Sequence, residues 1–314
     1  MTTLSNKIDF AVIVSVKNAN PNGDPLNGNR PRYDYEGKGE ISDVAIKRKI
    51  RNRLMEMGHF IFVQSADNHN DSHTSLKDRL TGILGKDILS DKELTKKACD
   101  KWLDVRAFGQ VFPFKGSEGK GKNKKKKGED IGEANDGEGE DKSVSKNVRG
   151  PVSLHPAFSV VPVLDRITST QITKSVNLEG DGNEMASDRM GMKHRVDHGV
   201  YVFYGSMNPQ LATKTGFSDD DAKAIKEAIR ILFRNDASSA RPEGSMEVFR
   251  VYWWEHNNPT GQYSSAKVHN AVRNKVGLQD GVTEPKDIGG YDYPSKEDVE
   301  KELPGLSCEV FSGE

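Results

Sequence analysis

The chain has 314 residues, enough for one large domain or two modest ones. Its 46 Lys and Arg against 47 Asp and Glu give a net charge of −1, which excludes a uniformly basic nucleic-acid binder, so any such surface must come from local clustering of charge. Two distant cysteines, Cys99 and Cys308, exclude a disulfide framework and a cysteine-based zinc site, and no apolar run is long enough to span a bilayer.

Hydrophobic content is low for a chain of this length, at 34% against 30% charged residues. We therefore expect long polar segments around a hydrophobic core that is small for a chain of this length. Residues 1–7 lack the apolar core of a signal peptide, so we expect a cytoplasmic protein with no membrane partner.

The first elements are a strand, an amide-rich loop and a basic helix. Ile8 to Val16 is β-branched and apolar, as in a buried central strand, and Asn18 to Pro25 follows as an Asn/Gly/Pro-rich loop. A helix is predicted from Asp43 to Met57, capped at Ser42 or Asp43 and stopped by Gly58. Its apolar stripe is Ile46, Ile50, Leu54 and Met57.

This succession predicts a cradle for a phosphate backbone. Backbone N–H groups of Gly/Asn turns and of helix N-termini face anions, and cations one turn further on neutralise them. On the helix, Lys47, Arg48 and Arg51 form one sector beside the apolar stripe. A merely solvated basic face is the alternative, but the loop adds further polar and basic side chains, which favours phosphate binding. These are Asn20, Asn22, Arg30 and Arg32.

The next segments are less regular. Phe60 to Val63 is predicted as a short strand, and Asp104 to Phe112 as a strand or turn-strand. Residues 115–147 contain almost no apolar side chain, which predicts a disordered charged insertion. Its basic block, Lys120 to Lys127, faces an acidic block and is interpreted as self-neutralising rather than as a nucleic-acid site.

Order is predicted to resume at Val152, with an extended stretch to Leu164. Residues 165–197 are polar with β-branched alternation at first, which suits an exposed hairpin or arm. Gly199 to Met207 is an aromatic strand. A second helix opens at Ser218, which is spaced from Asp221 as a capping box, and Met246 to Trp254 is a further strand.

With the insertions set aside, the order is strand, helix, strand, strand, helix, strand. That is the split βαβ, ferredoxin-like arrangement, which RNA-recognition modules share with many unrelated proteins. The prediction is an α+β chain, 1–314, forming a single domain with insertions.

Other residues are candidates for binding or chemistry. Arg106 with Phe108, and the run from Met190 to Arg195, place flat or flexible apolar groups beside cations, which suits stacking and backbone contact. His69 with His73, and His194 with His198, are spaced four apart but lie in no convincing helix, so no metal site is predicted. Asp24 is the most suggestive carboxylate for phosphodiester chemistry, although Asp in such a turn is more often a turn former.

Several motifs, in order along most of the chain, resemble the CRISPR backbone subunit of type I-C Cascade. The insertion at 115–147 departs from that family's pattern, so no role carries over to it. The matching segments are Asn18 to Pro25, Gly28 to Arg32, Ser42 to Arg51, Asp104 to Gly109, Gly150 to Val152, Met190 to His194, Ser239 to Gly244 and Ser265 to His269.

The resemblance implies a modified RNA-recognition palm with finger-like insertions and a thumb β-hairpin. It implies a noncatalytic scaffold whose copies polymerise head to tail along CRISPR guide RNA, leaving bases free to pair with target DNA. Its partners would be other Cascade subunits capping the guide and a recruited helicase-nuclease, with no cofactor. The RNA-binding residues predicted from pattern and resemblance are Asn20, Asn22, Arg32, Lys47, Arg48, Arg51, Arg106, Phe108, Met190, Met192, Lys193 and Arg241.

Two other functions stay open at this point. One is a ribonuclease that uses Asp24, as the related type III backbone subunits use a loop aspartate. The other is processing of the guide precursor, which in type I-C resembles the work of another subunit.

Overall fold

The computed structural model describes residues 2–112, 146–173 and 190–314. Eight α-helices lie within these ranges: α1 (Asp43–Glu56), α2 (Leu76–Leu84), α3 (Leu94–Lys101), α4 (Leu103–Phe108), α5 (Pro209–Thr215), α6 (Asp219–Arg230), α7 (Ser265–Arg273) and α8 (Lys296–Glu302). The strands of the same ranges are β1 (Ile8–Ala19), β2 (Gly23–Asp24), β3 (Arg30–Pro31), β4 (Lys38–Ile41), β5 (Gly109–Phe112), β6 (Lys146–Arg149), β7 (Val152–Leu154), β8 (Ala157–Pro162), β9 (Ile167–Thr173), β10 (Met190–Met207), β11 (Met246–Glu255), β12 (Gly277–Leu278), β13 (Tyr291–Asp292) and β14 (Cys308–Phe311).

A central antiparallel sheet organises the chain, in the order β14-β11-β1-β10-β8-β4, with β7 and β9 also paired to β10. β1 is its middle, pairing with β10 on one side and β11 on the other. Residues 8–16 of β1 are buried throughout, because both faces of the sheet are covered there. The prediction of a buried central strand is confirmed.

Four strands of this sheet and two helices follow one another along the chain in the order β1, α1, β8, β10, α6 and β11. In the sheet, the four strands lie in the order β11-β1-β10-β8. The α+β class with a central antiparallel sheet is confirmed. The ferredoxin-like interpretation stays a prediction, with which this strand order agrees.

Helices cover the two faces of the sheet. On one face, α1 and α6 bury side chains such as Ile50 and Ile225 against Val12 and Phe203. On the other face, α7 and α8 enclose a second cluster that includes Ile13, Trp254, Val268 and Val299. The carboxyl-terminal part of the chain, for which the sequence predicted no elements, supplies most of this second layer.

Two helices begin where their capping residues predict. Ser42 accepts a hydrogen bond from the Ala45 N–H at 3.3 Å, and Ser218 forms a reciprocal capping box with Asp221. The predicted apolar stripe of α1 is buried at Ile46, Ile50 and Leu54. Met57 is the exception, because α1 ends at Glu56 and Met57 is partly exposed in its cap position.

A satellite core, unforeseen from the sequence, packs α2, α3 and α4 around Trp102 and Phe62. Two strand predictions are wrong in this region. The 60–63 segment forms no strand, because the Asp104 side chain rather than a neighbouring strand accepts its backbone N–H groups. The 104–112 segment begins as α4 and becomes strand β5 at Gly109, whose φ of 82° ends the helix.

Two hairpins flank the segments that lie outside the described residues. β5 pairs with β6 on either side of 113–145, and β9 pairs with β10 on either side of 174–189. The predicted disorder of 115–147 therefore falls mostly outside the described residues, but its boundary is corrected, since Lys146 and Asn147 belong to β6. Among the described helices, we find none with the length and apolarity to cross a bilayer.

Candidate nucleic-acid interface

The carboxyl end of β1 is where the predicted binding segments meet. The Lys17 N–H donates to the Ser245 carbonyl at 2.8 Å, and the Asn20 N–H donates to the Ala240 carbonyl at 2.9 Å. The same end of β1 pairs with β10 at the root of the β9–β10 hairpin. The loop 20–32, the segment before β11 and the hairpin are thereby brought together.

The two predicted amides of the loop brace it. Asn20 is 2% exposed and donates through Nδ2 to the Asn29 carbonyl at 2.7 Å. Asn22 accepts through Oδ1 from both the backbone N–H and the hydroxyl of Ser42, each at 2.9 Å. These bonds fix the loop to the first turn of α1, so both amides stabilise the conformation of the loop. A contact between either amide and RNA stays a prediction.

The first cations of α1 have partners within the chain. Lys47 forms an ion pair with Asp43 at 2.9 Å, one turn earlier. Arg48 donates to the Val63 carbonyl at 2.7 Å, and burial together with the charge of Arg51 lowers the pKa of Arg48. Of the two, Lys47 is more available to a ligand, because its ion pair lies on a half-exposed helix face and is weak in water.

Arg51 belongs to the interior. Its Nε donates to Asp104 at 2.9 Å, and Asp104 also accepts the N–H groups of Phe62 and Val63 at 2.7 Å and 3.0 Å. The Arg51 guanidinium lies over the Phe108 ring, 5.1 Å from its centroid. Arg51 and Phe108 thus hold α1 against α4, and nothing in their surroundings identifies an RNA contact.

Arg106 is at the other end of the sheet. It forms a bidentate ion pair with Asp221 at the start of α6, with N–O distances of 2.8 Å and 2.6 Å. Burial raises the pKa of Asp221, but Arg106 outweighs it and the pKa is lowered. Since Ser218 bridges to Thr3 just before β1, Arg106 is not brought together with the loop 20–32.

Arg30 lies on β3 and Arg32 directly follows this strand, near the carboxyl end of β1. The Nε atoms of both are buried and have no hydrogen-bond partner among the residues that the structure describes. Arg32 is otherwise loosely paired with Asp24, at 3.5 Å. Buried donors are nearly always satisfied in folded proteins, so these two guanidinium nitrogens, two residues apart, are donors that a bound water or ligand would satisfy.

A second source of positive charge lies beside them. Asp236 forms ion pairs with both Arg241, at 3.5 Å, and the buried Lys49. Burial lowers the pKa of Lys49 to about 8, which still leaves it mostly protonated at neutral pH. Two cations therefore share one carboxylate, and one positive charge is left over for a ligand.

The hairpin adds exposed side chains to this surface. Met192 is 54% exposed and Lys193 is exposed beside it. His194 is anchored to Ser169 across the hairpin, at 2.7 Å from Nδ1 to the hydroxyl. β3 contacts β10, and burial together with the charge of Arg30 lowers the pKa of His194. The Met190 side chain lies outside what the structure describes.

Two of these residues are outside the RNA-binding set predicted from the sequence. Arg30 is counted there only among the basic side chains of the loop that favour phosphate binding, and it is spaced two residues from Arg32, as side chains on one face of extended backbone are. Lys49 stands between Ile46 and Ile50 on the apolar side of α1, a position that signals a buried cation in need of an acidic partner.

One histidine of each pair considered as metal ligands forms a side-chain hydrogen bond. His73 contacts Asp78 at 3.1 Å, and His194 contacts Ser169. Across residues 2–112, 146–173 and 190–314 there is no group of three His, Cys, Asp or Glu side chains placed to hold a metal ion. Cys99 and Cys308 are free and buried, and burial raises their pKa values to about 11 and about 12.

A cationic surface at one end of an antiparallel α+β sheet, beside an arm with an exposed thioether, has the features with which proteins hold single-stranded nucleic acid. The chain belongs to the family of CRISPR-associated protein Cas7, whose family model matches residues 6–295. The CRISPR-associated protein Cas7 of Haloferax volcanii is 30% identical over 266 residues, which are 83% of this chain and 74% of that protein.

Two solved chains of CRISPR RNA-guided surveillance complexes are similar to this chain in part. A chain of a CRISPR RNA-guided surveillance complex in a pre-nicking state has a TM-score of 0.48 and 14% identity, with 88% of this chain and 84% of that chain covered. A chain of another CRISPR RNA-guided surveillance complex has a TM-score of 0.44 and 15% identity, with 97% and 87% covered. Likenesses at this level carry no information about shared contacts or partners.

Proposed function

We propose that this chain is a noncatalytic scaffold that polymerises along CRISPR guide RNA in a Cascade surveillance complex of type I-C, in antiviral defence. It binds the RNA backbone and leaves the bases free to pair with target DNA. Membership of the Cas7 family supports the proposal. The observation that carries it is the group of unsatisfied or surplus cations, Arg30, Arg32 and the Lys49–Asp236–Arg241 cluster, beside the hairpin.

The parts of the chain then take these roles. The strands β11, β1, β10 and β8 with α1 and α6 are the RNA-recognition-like palm of a single domain, 1–314, into which finger-like segments are inserted. The arm of residues 165–197, containing β9 and the first part of β10, is the thumb. The antiparallel pairing of β9 with β10 supports this role, since it makes the arm a hairpin.

The RNA contacts divide into two groups. Arg30, Arg32, Lys47, Lys193 and Arg241 hold phosphates, with Met192, and Met190 beside it, against the bases. The other predicted residues have side chains that are engaged within the chain, so they act on the fold: Asn20 and Asn22 brace the loop, Arg48, Arg51 and Phe108 hold α1 against its neighbours, and Arg106 pairs with Asp221 at the far end of the sheet.

The proposal includes the partners. Copies of the chain associate head to tail, and such heterologous contacts build an open filament whose length the other Cascade subunits at the guide ends must set. The assembled complex recruits a helicase-nuclease to the target DNA, and all of this takes place in the cytoplasm.

The salt dependence of guide binding tests the proposal. Arg32→Gln with Lys193→Gln removes two phosphate contacts, and each contact to a single strand contributes roughly 0.7 to the slope of log affinity against log salt concentration. We expect the slope to fall by about 1.4 in the double variant. Lys223→Gln is the matched control, since Lys223 is an exposed lysine at the start of α6, and it should leave the slope unchanged. An unaltered slope in the double variant would refute the assignment.

The ribonuclease alternative has a residue-level test. Asp24 accepts the Leu26 N–H at 3.2 Å and lies 3.5 Å from Arg32, the arrangement of a turn cap. RNA complementary to the guide should therefore stay intact when incubated with the loaded assembly and divalent metal. Regularly spaced cuts that disappear in Asp24→Ala would show that the chain is a nuclease and that the scaffold assignment is wrong. Cleavage of repeat RNA by this chain alone would instead indicate precursor processing.

A further inference from the structure

The face of the sheet that carries α7 contains an open cleft. α7 packs over β1, and a cleft of about 430 Å³ opens between the end of α7 and the strands β8 and β10. β10 contributes Val202 and Tyr204 to the cleft, and β8 contributes Phe158 and Val160. Arg273, the last residue of α7, lines the opposite wall. The volume is in the range of small-molecule sites and large enough for one nucleotide.

The cleft presents aromatic rings. Phe158 is 40% exposed, although a large apolar side chain on a sheet is normally covered. The Tyr204 ring is buried behind it, and the ring of His155 stands edge-on to Tyr204 with centroids 6.4 Å apart. An exposed ring in a concave surface is the platform on which proteins stack the bases of single strands.

The charge in the cleft comes from Arg273. Its guanidinium lies over the Tyr204 ring, 4.6 Å from the centroid, and pairs with no carboxylate within the described ranges. The other cation, Lys38, is paired with Glu36 at 2.7 Å. The carboxylate that lines the cleft belongs to Asp34, and it accepts hydrogen bonds from two backbone N–H groups at 2.9 Å, which stabilise the turn that follows it. The group left to meet an anion is therefore Arg273.

We propose that this cleft binds a single strand of nucleic acid, with a base stacked on Phe158 and a neighbouring phosphate held by Arg273. The cleft is on the α7 face of the sheet, whereas Lys49 and its partners lie on the α1 face. The strand bound here is separate from a guide held by Lys49, Arg241 and their neighbours. The site goes beyond the proposed scaffold function, and only its separation from the guide rests on that function.

The test compares the full chain alone with the full chain loaded with guide RNA and separated from excess RNA by gel filtration, so that free guide does not compete for the cleft. A short fluorescent oligodeoxythymidine that cannot pair with the guide is then titrated by anisotropy. Phe158→Ala and Arg273→Gln should each weaken its binding about tenfold. Phe60→Ala is the matched control, because Phe60 is 60% exposed with Lys101 over its ring at 3.8 Å, outside the cleft, and it should bind as wild type does.

The other outcomes are each decisive. Equal affinities of Phe158→Ala and Phe60→Ala, or no binding by the wild-type chain, would overturn the site. If Phe158→Ala instead changes only the oligomeric state of the RNA-free chain, the cleft is occupied by a second copy and the proposal is wrong. Guide retention, measured on the same samples, reports separately on the scaffold function.

Discussion

At the scale of single residues, Asp104 is a buried carboxylate that holds together α1 and the segment that follows it. It is fully buried and accepts hydrogen bonds from Arg51 and from two backbone N–H groups of the segment that follows α1. Removing one member of such a pair leaves the other charge buried without compensation. Arg51→Ala would therefore disturb the fold, which makes Arg51 unsuitable for probing RNA contacts.

We predict that Asp104→Asn lowers the free energy of unfolding by about 3 kcal/mol, because the Arg51 guanidinium loses its counter-charge in the interior. Asp43→Asn is the control, since it removes only the half-exposed pair with Lys47 and should cost less than about 1 kcal/mol. Urea unfolding of both variants measures the difference. Similar midpoints for the two would mean that the buried pair contributes no more than the surface pair.

A second buried network joins β1, β11 and α7. Asp9 is fully buried and lies 2.9 Å from His256 Nε2, 3.6 Å from His269 and 3.3 Å from Lys7. Burial raises the pKa of Asp9, but the hydrogen bond from His256 and the neighbouring charges outweigh it, and the pKa is lowered. For His269, burial lowers the pKa to about 4, although Asp9 opposes this.

We predict that stability falls as the pH drops from about 6.5 to about 4. In this window the unfolded chain protonates His269 and the folded chain does not, so acid favours unfolding, by up to about 3 kcal/mol from this group. Stability from Asp9 is lost only at still lower pH. His269→Gln should flatten the profile of unfolding free energy in this window more than the half-buried His59→Gln does. Equal profiles for the two variants would exclude His269 as the source.

At the scale of elements, the starts of helices could be predicted because they depend on residues that are neighbours in the sequence. α1 and α6 begin at Ser42 and Ser218 because a cap and an apolar period are properties of neighbouring residues. The 60–63 segment was predicted wrongly because its backbone partner, Asp104, lies 41 residues beyond Val63. The same limit applies to the cations, whose partners, such as Asp236 for Lys49, are distant in sequence.

The β5–β6 pair bears on the charged insertion. Phe112 stands opposite Lys146 at its end, so a two-residue turn can join the strands directly. We predict that replacing residues 113–145 by Asn-Gly leaves the fold and guide binding intact. The melting temperature and guide affinity of this variant, compared with wild type, are the measurements. Loss of guide binding with an unchanged melting temperature would assign the insertion an RNA contact.

At the scale of the whole molecule, a chain of net charge −1 cannot coat RNA by bulk attraction. In the part of the chain that the structure describes, the cations that lack a hydrogen-bond partner at one nitrogen or share a single carboxylate are Arg30, Arg32, Lys49 and Arg241, near the carboxyl end of β1. The three aspartates in the first turn of α6 have partners within the chain: Asp219 bonds to Ser5, Asp220 pairs with Lys223 and Asp221 pairs with Arg106. RNA binding therefore depends on the local group of cations and not on the charge of the whole chain.

We predict that the number of copies bound to single-stranded guide RNA rises in equal steps with RNA length, because a head-to-tail filament grows until the strand ends. Native mass spectrometry on a series of RNAs of increasing length measures the stoichiometry. Duplex RNA of the same lengths is the control and should bind fewer copies, since its bases are already paired and its A-form major groove is too narrow for side chains. One or two copies at every length would contradict polymerisation while leaving RNA binding itself intact.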